Sequence, residues 1–259
     1  MDEKLVIAGR EFASRLMVGT GKYPDMATMQ EAIAVAETEI VTVAIRRLPL
    51  EGGGENLLDY LDRERITLLP NTAGATTAEE AVRLARLGRA AGLSNFVKLE
   101  VIGDSQTLYP DPVATLEATR ILVRDGFDVL VYTSQDPVLA RYLEEAGAAA
   151  VMPYGSAIGS GQGILDFTSV RMIVDRLSVP VVVDAGLGAP SDAALAMEAG
   201  ADAVLINTGI ACARDPVLMA KAMRSGVQAG RYAYLAGRIP RQAYASASSP
   251  TKGLPGQPG

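Results

Sequence analysis

Glu145-Ala146-Gly147-Ala148-Ala149-Ala150-Val151-Met152 has a counterpart further along the chain, Glu198-Ala199-Gly200-Ala201-Asp202-Ala203-Val204-Leu205. Each reads as a helix end, a glycine turn and a buried strand. The repetition is structural and carries no chemistry. It sets the period with which the rest of the chain is read. Short β-branched runs recur at Leu16–Val18, Ile40–Ala44, Thr67–Pro70, Phe96–Val101, Val129–Thr133, Ala149–Met152, Val181–Asp184 and Ala203–Asn207. Ala-rich stretches with helical spacing lie between them, at Thr77–Leu87, Pro112–Arg124, Pro137–Ala146, Asp192–Ala199 and Pro216–Ser225. Asp111-Pro112, Asp136-Pro137 and Asp215-Pro216 each place an N-cap before a first-turn proline. Gly88, Gly126, Gly147 and Gly200 mark helix ends. Eight such strands with intervening helices predict an α/β fold, a (β/α)8 TIM barrel. A doubly wound open sheet is the alternative, because strand order is invisible in a sequence.

One barrel domain is expected to take up residues 1–259, flanked by a small hairpin over Lys4–Phe12 centred on Ala8-Gly9. Residues 246–259 read as a flexible tail, rich in Ser, Pro and Gly. Arg46–Asn56, with Gly52-Gly53-Gly54, reads as a mobile segment on the face where barrel active sites lie.

Composition removes whole classes of chemistry. The 259 residues are 49% hydrophobic and 21% charged, with net charge -6, so the counts favour no polynucleotide partner. No apolar run is long enough to span a membrane. Met1-Asp2-Glu3-Lys4 lacks the apolar core of a secretion signal, so a cytoplasmic location is expected. There is no His, which rules out Ser-His or Cys-His catalysis and imidazole metal sites. The single Cys, Cys212, makes no internal disulfide or thiolate cluster and reads as a small buried residue. Acid–base work falls to Asp, Glu, Lys and Tyr. Lysine is scarce, with Lys4, Lys22, Lys98, Lys221 and Lys252 the full set.

Lys98 lies in Phe96-Val97-Lys98-Leu99-Glu100-Val101. Strand alternation puts Lys98 and Glu100 on one face and Val97, Leu99 and Val101 on the other. In a barrel the apolar face meets the helices, so Lys98 and Glu100 point inward. A desolvated amine is a nucleophile toward carbonyls, whereas a neighbouring carboxylate raises its pKa and can shuttle its proton. A structural ion pair fits the same pattern. Asp184 closes Val181-Val182-Val183 at a strand tip, either as a catalytic carboxylate or as a cap of the next turn, with Ser191 capping the helix beyond. Asn71-Thr72-Ala73-Gly74 is a polar turn at the active face, with Thr76 or Thr77 as the following N-cap. Glycine turns follow three successive strands, at Gly155–Gly163, Ala185–Gly188 and Asn207-Thr208-Gly209. Barrels bind phosphate at such turns, through backbone N–H groups. No Gly-Lys-Ser/Thr follows them, which argues against a nucleoside triphosphate. The residues therefore describe a barrel forming a Lys98 imine with a phosphorylated sugar. A phosphosugar aldolase fits equally, and a non-catalytic phosphosugar-binding scaffold stays open.

Pro70-Asn71-Thr72-Ala73-Gly74, Val97-Lys98-Leu99-Glu100-Val101, Tyr132-Thr133-Ser134, Pro153–Gly163, Val183-Asp184-Ala185-Gly186-Leu187-Gly188, Asn207-Thr208 and Tyr244–Pro250 together carry a resemblance. The chain resembles the thiazole synthase family of thiamin biosynthesis over nearly its whole length. Ala75 departs from the family pattern, which often has Cys there, and so argues against a required thiol. The resemblance implies three inputs: 1-deoxy-D-xylulose 5-phosphate, dehydroglycine, and sulfur carried as the C-terminal thiocarboxylate of a ubiquitin-like sulfur carrier protein. It implies that Lys98 forms the imine and that Glu100 and Asp184 move protons. Gly159, Ala185, Gly186, Asn207 and Thr208 would bind the sugar phosphate. A homo-oligomer is expected, with no metal or redox cofactor. Position and mobility, rather than the resemblance, suggest the Arg46–Asn56 segment, with Arg46 and Arg47, as part of the carrier's channel.

Overall fold

The computed structural model describes residues 3–48, 56–246 and 248. The triple glycine and nearly all of the predicted flexible tail lie outside the described residues. The chain opens with an antiparallel hairpin, β1 (Leu5–Ile7) and β2 (Arg10–Phe12). Its turn puts Ala8 at φ 48° and Gly9 at φ 75°. Two left-handed residues in succession are what a tight hairpin of the right twist requires.

Eight parallel strands follow: β3 (Leu16–Gly19), β4 (Ile40–Ala44), β5 (Thr67–Asn71), β6 (Phe96–Leu99), β7 (Asp128–Thr133), β8 (Ala150–Pro153), β9 (Val182–Asp184) and β10 (Ala203–Ile206). Their spatial order is β8-β7-β6-β5-β4-β3-β10-β9, and the bridges Val151↔Val181 and Tyr154↔Asp184 join β8 to β9. The sheet therefore returns on itself. Neighbours are sequential all the way round, with no reversal of order, and this excludes the open doubly wound sheet. The helices are α1 (Met26–Ala36), α2 (Ala78–Ala90), α3 (Pro112–Arg124), α4 (Pro137–Glu145), α5 (Phe167–Val174), α6 (Pro190–Glu198), the short α7 (Thr208–Ala211) and α8 (Pro216–Ala236). Asp111, Asp136 and Asp215 cap α3, α4 and α8 as their Asp-Pro pairs predict.

The alternation of each strand divides the core in two. Val41, Val43, Val97, Leu99, Val129, Val131, Val183 and Val204 face outward into the helix layer. Met17, Ile40, Leu69, Phe96, Leu130, Met152, Val182 and Leu205 face inward and pack with Leu5, Ile7 and Phe12 of the hairpin. The hairpin thus stops the N-terminal end of the barrel. Burial on both faces is why the strands read as continuous apolar runs.

Several local expectations need correction. β6 ends at Leu99 rather than Val101, because the backbone of Glu100 leaves the ladder to bond Thr72. Gly88 lies inside α2, not at its end. A β-carbon there would sit 3.1 Å from Ile45, so the glycine admits the Ile45 side chain. α6 starts at Pro190 with Ala189 at its cap, displacing Ser191. Asp192 reaches back to accept from the N–H groups of Gly188 (2.9 Å) and Ala189 (3.0 Å). α8 runs on to Ala236 rather than stopping at Ser225. Gly226 and Gly230 face α6, where β-carbons would meet the backbone of Pro190 and Ala194. They let two helices approach closely instead of ending one of them. Cys212 is exposed rather than buried.

Candidate active site

Lys98, Glu100 and Asp184 converge inside the C-terminal mouth. The Lys98 ammonium lies 2.6 Å from Asp184 Oδ2 and 3.0 Å from Glu100 Oε1. All three side chains are at most 8% exposed. Asp184 ends β9, where its register against Leu205 of β10 and its bridge to Tyr154 hold the strand tip. Lys98 pairs with Asn71 of β5 and Leu130 of β7. Glu100 is held by its own backbone. Its N–H donates to Thr72 Oγ1 at 2.8 Å, and its carbonyl accepts from the same hydroxyl at 2.8 Å.

Electrostatics sets the resting protonation. Burial alone would depress the Lys98 pKa, but the charges of Asp184 and then Glu100 outweigh it and hold the amine above its ordinary 10.5. The group rests as an ammonium. Burial pushes the Asp184 carboxyl above its ordinary 3.8, against the pull of Lys98. The pair is therefore a proton donor and a proton acceptor in direct contact, 2.6 Å apart. Moving that proton to Asp184 yields a neutral amine with no change in net charge.

An aromatic wall closes one side. The fully buried Tyr132 ring has its centroid 5.6 Å from Lys98 Nζ, within cation–π range. Burial first, and the Asp184 and Glu100 charges second, raise its phenol pKa and keep it neutral. Tyr154 tilts against Tyr132 at 6.3 Å and stacks on Tyr109 at 4.7 Å. The loop carrying Tyr109 is folded back by the Ile102↔Pro110 bridge.

The glycine turns meet on the adjoining side. Ala185 (φ 63°) and Gly186 (φ 76°) are both left-handed. A β-carbon on Gly186 would collide with the Ser156 hydroxyl. Gly159 (φ 74°) faces Thr208, with Thr208 Oγ1 3.7 Å from where its β-carbon would stand. Asn207 lies over Gly19 and Gly21, which have no side chains to obstruct it, and its Oδ1 is buried without a hydrogen-bond partner. The fold thus gathers the sequence-selected residues into two adjoining groups. Lys98, Glu100 and Asp184 form one. Gly159, Ala185, Gly186, Asn207 and Thr208 form the other, joined to the first through Asp184-Ala185.

Two neighbours have no role assigned from the sequence. Tyr132 lies in a plain apolar run, and nothing in that run signals its contact with Lys98. Lys22 Nζ lies 3.7 Å from the β-carbon position of Gly159, matching Thr208. A signal for Lys22 does exist in Gly19-Thr20-Gly21-Lys22, a glycine turn with a rare lysine directly after the first barrel strand.

The family model for "Thiazole biosynthesis protein ThiG" matches residues 6–250. The chain belongs to the thiazole synthase family. It is 58% identical to the thiazole synthase of Geobacter sp. (strain M21) over 256 residues, 98% of each chain. It is 56% identical to that of Bacillus subtilis (strain 168) over 252 residues, 97% of this chain and 98% of the other. Thiazole synthases are enzymes of thiamin biosynthesis. Among solved structures, the Amycolatopsis orientalis BexX/CysO complex aligns with TM-score 0.85 and 35% identity, over 94% of this chain and 100% of that one. The 3-hexulose-6-phosphate synthase of Salmonella typhimurium aligns with TM-score 0.58 at 17% identity, over 83% of this chain and 99% of that one, a likeness of fold alone.

Proposed function

We propose that this thiazole synthase joins 1-deoxy-D-xylulose 5-phosphate, dehydroglycine and the sulfur of a carrier-protein thiocarboxylate into the thiazole phosphate carboxylate, through an imine on Lys98. The observation that carries the reading is a buried amine held between two carboxylates at a barrel mouth, 2.6 and 3.0 Å away. Asp184 takes the ammonium proton. The freed amine adds to the C2 ketone, and loss of water leaves the imine. The imine acidifies C3, and a carboxylate removes that proton. Reprotonation completes an Amadori-type shift that leaves the carbonyl at C3. The thiocarboxylate sulfur adds there, its acyl group passes from sulfur to the C3 oxygen and leaves as the carrier's carboxylate, the sulfur left on C3 adds to the imine carbon of dehydroglycine, and the dehydroglycine nitrogen displaces Lys98 at C2 to close the ring. Dehydrations follow. The proton transfers these steps need lie beside an imine or ketone, and Glu100 and Asp184 lie within reach of Lys98 to serve them.

The phosphate would rest against Gly159, Ala185, Gly186, Asn207 and Thr208, whose small side chains and open backbone suit an anion. The carrier protein is supported by a relative, since the similar BexX was solved as a complex with a second protein, CysO. Incubation with 1-deoxy-D-xylulose 5-phosphate, borohydride reduction and peptide mapping test the imine. The expected result is one sugar adduct on Lys98, with thiazole formed only when the carrier thiocarboxylate is supplied. An adduct that breaks down by carbon–carbon cleavage without a carrier would instead assign an aldolase. Phosphate binding with no adduct would leave a scaffold.

A further inference from the structure

Lys22 comes from the turn after β3, the first strand of the barrel. Gly159 comes from the turn after β8, and Thr208 opens α7 after β10. Closure of the ring between β3 and β10 brings the first of these to the last. Lys22 Nζ and Thr208 Oγ1 each lie 3.7 Å from the point a Gly159 β-carbon would occupy. Among the described residues Lys22 makes no ion pair. Its backbone is left-handed at φ 70°, a conformation that favours glycine or asparagine over lysine. The position therefore keeps a lysine where the backbone does not want one, and aims its ammonium at the space a glycine has vacated.

We propose that Lys22 is the cationic ligand of the substrate's phosphate and sets the preference for a phosphorylated over an unphosphorylated sugar. The inference rests on the reading of this mouth as a phosphosugar site. The other groups there, backbone N–H and the Thr208 hydroxyl, are neutral. Of the remaining cations around the mouth, two are already paired and the third lies on the Gly21 side. Lys98 is committed to its two carboxylates, Arg46 reaches toward Glu80, and Arg47 stands by Gly21 and Asn207. Lys22 alone among them faces Gly159 and Thr208 together. A phosphate seated between them would receive one charged and one neutral hydrogen bond from side chains, in addition to those from the turns.

The test uses the full chain and the variants Lys22→Met, Lys22→Gly and Lys22→Arg. Lys22→Gly removes the charge and suits the left-handed backbone, so any loss it shows does not come from misfolding. Two probes are read separately. Inorganic phosphate binding, followed by phosphorus NMR, reports the subsite without any chemistry at Lys98. Borohydride trapping of 1-deoxy-D-xylulose with and without its 5-phosphate reports sugar preference. A charged hydrogen bond of ordinary strength predicts that Met and Gly weaken phosphate binding on the order of 10- to 100-fold and reduce the preference ratio by the same factor, with Arg close to wild type. If Met and Gly bind inorganic phosphate like wild type, or depress both sugars equally, the assignment is overturned. If phosphate binding falls as stated while wild type traps neither sugar, the subsite stands and the imine reading fails. Wild type that binds neither phosphate nor phosphosugar overturns both.

Discussion

Phe96 and Lys98 are consecutive inward residues of β6, yet they belong to different worlds. Phe96 packs edge-on against Phe12 of the hairpin, with ring centroids 6.5 Å apart, in a floor made of Met17, Ile40, Leu69, Leu130, Met152, Val182 and Leu205. One step up each strand the inward residues become Gly19, Thr42, Asn71, Lys98, Tyr132, Tyr154, Asp184 and Asn207. The floor contains no titratable group among these residues, and the layer above holds the ion triad. A sealed apolar floor keeps water from reaching the triad from below, and this is why burial pushes the Asp184 carboxyl up. The lower layer is apolar packing and the upper one holds the buried ionised groups, on the same strands.

The largest effect that can break this division comes from Lys98→Met. Loss of the nucleophile should lower thiazole formation by about 10^4-fold or more and abolish the borohydride adduct. It should also destabilise, because Asp184 and Glu100 lose their buried cation, by about 3–5 kcal/mol at neutral pH. The sign of the pH dependence follows from Asp184. A buried carboxyl whose folded pKa is raised penalises folding fully above that raised value, and the penalty disappears as pH falls toward its ordinary 3.8. The deficit against wild type should therefore shrink on acidification. A deficit that grows toward acid pH, or a variant with wild-type turnover, would dissolve the contrast between floor and mouth.

Phe96→Ala should do the reverse. Truncating a fully packed aromatic in the floor costs about 3–5 kcal/mol, expected as a Tm lower by several degrees. Sugar-phosphate affinity at temperatures where the variant is folded should stay within about twofold of wild type, since Phe96 touches the site only through the strand. If affinity falls with stability, the two layers are not separable.

How much of this division is visible in the chain differs by layer. The alternation in Phe96–Val101 shows which side of β6 faces inward, and the Asp-Pro pairs locate three helix starts. These are local signals, carried by neighbouring residues. The glycine turns mark the second group of site residues for the same reason. What stays hidden depends on ring closure. Lys22 meets Thr208 only because β3 pairs with β10, a contact between distant parts of the sequence. Tyr132 meets Lys98 only through the side-by-side register of β7 and β6. Gly226 and Gly230 look like stops for α8 because their partner, α6, is invisible from within the helix. The proposed catalytic roles of Lys98, Glu100 and Asp184 come from motif resemblance, whereas their protonation pattern can be read only from the assembled distances.

A subtler probe of the upper layer is Glu100→Gln. It leaves Lys98 with Asp184 and removes one of the two charges that hold the amine up. The Lys98 pKa should fall, so a larger fraction of amine is neutral at a given pH. Adduct formation measured against pH should then rise at lower pH than in wild type. A profile moved to higher pH, or not moved, would mean that Glu100 does not act on Lys98 electrostatically.

Arg46→Ala should have the smallest effect on the molecule itself. Arg46 lies beyond β4 at the rim of the mouth, with its guanidinium over Gly74 and 3.8 Å from Glu80. Both partners are well exposed, so solvent screens the pair and a thermal melt should not resolve its loss. The position matters for a different reason. On the proposed function a carrier protein would pass its extended C-terminus across this rim to reach Lys98, and a rim charge acts mainly on association and its salt dependence. Arg46 is the cleaner choice for the test, because Arg47, like Asn207, reaches the space over Gly21 and would disturb the proposed phosphate site as well. The expected outcome is a several-fold weaker carrier affinity at low salt, merging with wild type as salt is raised, with adduct formation on Lys98 unchanged. Equal carrier affinity at low salt would move the carrier's path away from this rim and leave the floor-and-mouth division untouched.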